Sequence, residues 1–136
     1  MTRPHILQTG ALPPADQSAL DETYTVHRLW EAPDRAALLA RIGPQVRAIA
    51  TRGDLGADAA LLAACPAVQI VSVLGVGYDA VDTKACRARG IRLTNTPDVL
   101  TEDCADLALA MFLALARNVP AADSFVRAGK DRKSVV

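Results

Sequence analysis

Short runs rich in β-branched residues alternate along the chain with segments of helical periodicity, and this alternation constrains the fold more than any other feature of the sequence. The runs His5–Thr9 (HILQT), Tyr24–Leu29 (YTVHRL), Val46–Thr51 (VRAIAT), Val68–Leu74 (VQIVSVL) and Ile91–Thr94 (IRLT) read as strands. Pro33–Ile42, Asp58–Ala64 and Thr83–Arg89 lie between them with helical spacing. Pro33 suits a first turn, Gly43-Pro44 a stop, and Gly90 the left-handed exit of a helix. Strands separated by helices of this length predict a parallel α/β sheet with right-handed crossovers. Its ligands would sit at the carboxyl ends of the strands.

Five strands in this order fit a flavodoxin-like, doubly wound layout. At 136 residues the chain can bury a real core without a disulfide or metal staple. After the fifth strand the pattern changes. Thr101–Arg117 (TEDCADLALAMFLALAR) reads as one long helix with Thr101 at its N-cap and acids complementing its positive end. Leu107, Met111, Phe112 and Leu115 follow helical spacing, but Leu109 and Leu113 make the helix apolar nearly all round, so it requires cover on several sides. A further helix is expected over Pro120–Ala128, and Asp131–Val136 continue neither pattern.

Fifteen Lys+Arg balance fifteen Asp+Glu, which removes the basic footprint of a nucleic-acid binder. The run Leu107–Ala116 is too short for a bilayer, and the N-terminus shows no basic stretch leading into an apolar core. Neither nucleic acid nor a membrane is expected as a partner, and the chain reads as cytoplasmic. Cys65, Cys86 and Cys104 have no C-x-x-C spacing, and His5 and His27 have no acidic or cysteine partner at ligand spacing. No metal site is expected, and the histidines read as structural.

Two loops carry the candidate chemistry. Gly75-Val76-Gly77-Tyr78-Asp79-Ala80 fits G-x-G-x-x-[GA] between a strand and a helix. Asp79 would oppose a pyrophosphate, and the next strand ends in Asn95 rather than an acid, so the preferred reading is a smaller anion held by the backbone N–H groups of Val76 and Gly77. A true dinucleotide loop and a purely conformational turn remain as alternatives. Thr51-Arg52-Gly53-Asp54 ends the third strand on the same edge, so the two loops could face each other. Arg52 offers a planar fork for a substrate carboxylate, or equally a surface pair with Asp54.

The strings GVGYDAVD and ARGIRLTNTPDVLTEDCADLALAMFLALAR resemble the D-2-hydroxyacid dehydrogenase family, most closely its glyoxylate, hydroxypyruvate and hydroxyphenylpyruvate reductases. The resemblance runs from about Val46 to Lys130, and the first 45 residues match in pattern only. It implies a substrate domain over residues 1–98, interdomain and dimerisation helices over 99–130, and a non-family tail over 131–136. It also implies an oxidoreductase acting on a small 2-keto or 2-hydroxy acid with NAD or NADP, and a homodimer formed through Thr101–Arg117. By resemblance, Val76 and Gly77 bind the substrate carboxylate, the Arg52-Gly53 loop closes nearby, and Val76 and Cys104 line the nicotinamide side. Cys104 departs in type from the Thr or Val usual there and has no histidine base beside it to make it a nucleophile.

The family's catalytic arginine, glutamate and histidine and its Rossmann domain have no counterpart in this sequence. The chain therefore reads as an N-terminal fragment, inactive alone, with no catalytic residue assigned. The rival reading is a non-enzymatic flavodoxin-like module that binds a small acid or dimerises.

Overall fold

In the computed structural model, which describes residues 3–130, the strands are β1 (His5–Gln8), β2 (Thr25–Arg28), β3 (Val46–Arg52), β4 (Ile70–Leu74) and β5 (Arg92–Thr94). All pair in parallel, in the order β2-β1-β3-β4-β5, the flavodoxin-like arrangement expected. The helices are α1 (Pro14–Thr23), α2 (Arg35–Ile42), α3 (Ala59–Ala64), α4 (Thr83–Ala88), α5 (Thr101–Ala116) and α6 (Val119–Arg127). Short 3₁₀ turns at Leu29–Glu31 and Gly43–Gln45 lead out of β2 and α2. The chain divides into two units, a sheet unit to Pro97 and a helical unit from Asp98. The expected tail, 131–136, lies outside the described residues.

Register fixes which side chains share a face. Leu7 pairs with Ile49 and Ile49 with Val71, so these residues stack on one side of the sheet. Together with Val73 they form the buried core against Leu38 and Leu39 of α2, Leu62 of α3 and Cys86 of α4. On the other side, Ile6, Ala48 and Ile70 line a groove of about 610 Å³ beside Leu20 of α1. Of the helices between strands, α1 alone was not expected. Its sequence PADQSALDET offers only a thin apolar stripe, and none of its residues is buried. It is held by polar contacts: Gln17 accepts from Gln8 at 2.7 Å and donates to Asp21 at 3.2 Å, and Arg28 pairs with Asp21.

Aspartates start the three helices of the core side. Asp34, Asp58 and Asp82 each accept the backbone N–H three residues on, at 3.0, 2.7 and 2.8 Å. Pro33 therefore precedes the cap of α2 rather than opening its first turn. Gly90 leaves α4 with φ +66°, as its position after the helix requires. Arg89 closes the far end of α3 by donating to the carbonyls of Leu62, Cys65 (2.9 Å) and Pro66 (3.0 Å).

In the helical unit the N-cap of α5 is Leu100, not Thr101, which is already the first helical residue and makes no capping bond. The first-turn acids Glu102 and Asp103 complement the helix dipole instead. Leu107, Leu109, Met111, Phe112, Leu113 and Leu115 are each more than half exposed. A left-handed Asn118 (φ 56°) separates α5 from α6. No single described helix is long and apolar enough to cross a membrane, and the α5–α6 pair is bent by 64°.

Candidate functional site

Parallel pairing sends the loops after β3 and β4 out of the same sheet edge, and close backbone approach joins them. Gly53 N–H donates to Leu74 O at 3.3 Å, Ala57 N–H to Ala80 O at 3.2 Å, and Asp82 N–H to Ala57 O at 2.9 Å. A Cβ on Gly53 would stand 2.6 Å from the Gly77 carbonyl oxygen, so glycine is what lets these strands of backbone lie together. Beneath them, buried Thr51 donates to Gly56 O at 2.8 Å and accepts from Thr9 Oγ1 at 2.6 Å, tying the β3 loop to the end of β1. The expected facing of the Gly53 and Gly75–Gly77 loops is thus realised in backbone contact.

Arg52 does not hold out a free fork. Its Nε and Nη2 donate to the two carboxylate oxygens of Asp54 at 3.0 and 2.6 Å. That bidentate contact holds the Asp54 carboxyl below its ordinary range and raises the already basic guanidinium. Of the two readings open for Arg52, the structure shows the pair with Asp54, and the nearby element of this loop is Gly53.

The Gly75–Gly77 turn is fastened from the end of β5, by residues the sequence reading did not single out for this. Gly75 N–H donates to Thr96 Oγ1 at 3.1 Å, Thr96 N–H donates back to Gly75 O at 3.0 Å, and Asn95 Nδ2 donates to Val76 O at 2.8 Å. A signal existed: parallel pairing of Ser72 with Thr94 puts the residues after β4 beside those after β5. By contrast, the N–H groups of Val76 and Gly77 have no acceptor among the described residues. Val76 is 45% exposed, so these donors lie at the surface of the edge.

As a dinucleotide cradle the loop is poorly built. A pyrophosphate site needs a helix opening directly from the glycines with its N–H groups free. Here α4 starts only at Thr83, and its N-terminus is already capped by Asp82. Asp79 adds negative charge, its Oδ2 lying 3.6 Å from where a Gly77 Cβ would be. The described residues fit a carboxylate and do not fit a dinucleotide phosphate. Cys104, the other candidate for the nicotinamide side, is an exposed free thiol on α5 in the helical unit. Cys65 and Cys86 are buried, and burial pushes both thiols up.

His5 and His27 are paired with each other rather than isolated. Their rings lie in neighbouring parallel strands with His5 Nδ1 3.0 Å from His27 Nε2. Partial burial, His5 and the Arg41 charge lower the His27 pKa. No group of three or more metal-ligating side chains occurs among the described residues.

Comparison with known proteins identifies the fold's relatives. The chain is 42% identical to the glyoxylate/hydroxypyruvate reductase A of Arabidopsis thaliana over 84% of its own length and 36% of that protein's. A crystal structure of a 2-hydroxyacid dehydrogenase from Ketogulonicigenium vulgare superposes with a TM-score of 0.88 at 60% identity, over 95% of this chain and 41% of that one. The NADPH-dependent glyoxylate/hydroxypyruvate reductase of Sinorhizobium meliloti, solved with NADP and malonate, gives 0.76 at 40% identity, over 95% of this chain and 39% of its own. This chain thus spans about two-fifths of the length of these relatives. The catalytic-domain model of the D-isomer specific 2-hydroxyacid dehydrogenases matches residues 6–131, and the chain belongs to that family.

Proposed function

We propose that this chain is the substrate-recognising part of an NAD(P)-dependent reductase of small 2-keto acids, and that it receives the substrate carboxylate on the N–H groups of Val76 and Gly77. The observation that carries the reading is that pair of donors without an acceptor among the described residues, at the carboxyl edge of a parallel sheet. Hydrogen bonds to a charged acceptor contribute about 1.5–3 kcal/mol each. Two of them supply about 3–6 kcal/mol, so once the cost of immobilising a small ligand is subtracted the dissociation constant is millimolar or weaker. Such a site positions the acid and leaves the neighbouring carbonyl free to face a reductant. The relatives named for glyoxylate and hydroxypyruvate, one of them solved with malonate, support a small carboxylate as the ligand. No step through the dinucleotide follows from the described residues, because they do not fit its phosphates.

Titrating ¹⁵N-labelled chain with glyoxylate tests the reading. The Val76 and Gly77 amides should shift at millimolar ligand, while glycolamide, which lacks the charge, should leave them in place. Unmoved amides, or shifts reproduced by chloride, would overturn it. The chain alone with glyoxylate and NADPH should show no oxidation above buffer, and protein-dependent turnover would refute the view that further groups are required.

A second reading concerns α5. Its exposed leucines and Phe112 give an apolar surface that favours pairing of two copies through Thr101–Arg117. Light scattering behind size exclusion should show a dimer, and a monomer at high concentration would sink the idea. We place the protein in the cytoplasm, which suits its free thiols.

A further inference from the structure

The geometry points to Asn95 and Thr96 as positioning residues that aim the two carboxylate-binding N–H groups, an inference that rests on the carboxylate reading above. A trans peptide unit is planar, and its C=O and N–H point in opposite directions. Fixing a carbonyl therefore fixes the direction of the N–H that shares its plane. No cis peptide occurs among the described residues, so the rule applies across the turn.

The Gly75 carbonyl shares a peptide unit with the Val76 N–H, and it is held by Thr96 N–H at 3.0 Å. The Val76 carbonyl shares a unit with the Gly77 N–H, and it is held by Asn95 Nδ2 at 2.8 Å. Thr96 Oγ1 also accepts from Gly75 N–H at 3.1 Å, which stops the preceding unit from turning. Each carbonyl is drawn toward the end of β5, and each following N–H is turned the other way, where no described residue meets it. A glycine-flanked turn is otherwise free to rotate its peptide planes, and two adjacent residues remove that freedom from two successive units. The division of labour is specific: Asn95 sets the Gly77 donor, and Thr96 sets the Val76 donor.

The test is the same amide-resolved glyoxylate titration applied to Asn95→Ala, Thr96→Val and Thr96→Ser. Loss of one hydrogen bond near solvent corresponds to about three- to tenfold weaker binding. Asn95→Ala should show that weakening with a diminished shift at the Gly77 amide and a retained response at Val76. Thr96→Val keeps the Thr96 N–H bond to Gly75 O but removes the hydroxyl that accepts Gly75 N–H, so the units on either side of Gly75 loosen. Binding should weaken with the deficit at Val76, and Thr96→Ser, which keeps the hydroxyl, should restore it. A general structural defect would move both amides together and would not be rescued by serine. Where Asn95→Ala does not fold, as judged by amide dispersion, the Thr96 pair decides the matter. If the parent amides fail to respond, the carboxylate reading falls and this inference with it. If the parent binds and Asn95→Ala or Thr96→Val binds equally well with unchanged shifts, the positioning role is overturned while the carboxylate site stands.

Discussion

Substituting Gly53 by alanine tests whether the two edge loops are packed as tightly as their backbones indicate. The added methyl carbon would lie 2.6 Å from Gly77 O, 3.5 Å from Gly77 C and 4.0 Å from Gly77 Cα. All three are backbone atoms, so no side-chain rotation relieves the clash, and the loops must separate until the first contact reaches ordinary van der Waals distance. Overpacking of this kind costs about 1–3 kcal/mol. With a urea m-value on the order of 2 kcal/mol/M, the midpoint should fall by about 1 M. Trp30, the chain's one tryptophan, lies in the sheet unit and reports its unfolding by fluorescence. Gly90→Ala is the comparison: nothing lies within 4 Å of its Cβ position, but φ is +66°, so it isolates the conformational cost of about 1 kcal/mol. The glyoxylate affinity of Gly53→Ala should fall with its stability, whereas Gly90→Ala should bind as the parent does. A Gly53→Ala midpoint within about 0.2 M of the parent would refute the close-approach argument.

Three further outcomes follow from the packing. Arg89→Met keeps the aliphatic stem but loses the bonds to the Leu62, Cys65 and Pro66 carbonyls, and should lower unfolding free energy by about 2 kcal/mol in the same urea assay. The His27 pKa is lowered in the folded state from 6.5, so below that pH the unfolded chain binds more protons; stability should be full above pH 6.5 and decline as pH falls toward the folded value, and His27→Gln should remove that part of the slope in melts across pH 5–8. Ellman's reagent should label Cys104 rapidly in the native protein and reach Cys65 and Cys86 only after denaturant is added, and prompt labelling of all three would contradict their burial.

What could be read from the residues depended on how far apart the interacting groups lie. The strands declared themselves through β-branched runs, and the helices between them pointed to a parallel, flavodoxin-like sheet. The helices α2, α3 and α4 were visible through helical spacing between the strands, with Pro33 and Gly43-Pro44 about the first and Gly90 after the last, whereas the caps at Asp34, Asp58 and Asp82 emerge only in the fold. Helix α1 has only a thin apolar stripe and depends on Gln8, Gln17, Asp21 and Arg28, which meet only once β1 and β2 are side by side. In the site, Gly75 and Gly77 were conspicuous because their spacing is local. Arg52 posed a choice that residue types leave open, and Asp54, two positions along, takes the fork in the fold. The hold of Asn95 and Thr96 on the turn, like the His5–His27 pair, crosses 19 to 22 positions, so it becomes readable only after the parallel register is known.

The strand order also bears on how the protein behaves at high concentration. An open sheet ends in two rows of unpaired backbone groups, and these invite strand-to-strand association between molecules. Here the outermost strands are β2 and β5. The first carries His27 and Arg28, and the second is three residues long and opens with exposed Arg92. Short rim strands, the ion pair of Arg28 on β2 with Asp21 and the exposed Arg92 on β5 make a growing intermolecular sheet costly, while the uncharged, readily extended sequence of β4 stays enclosed between two neighbours. The same arrangement that delivers the glycine loops to one edge therefore keeps the most aggregation-prone segment away from other copies.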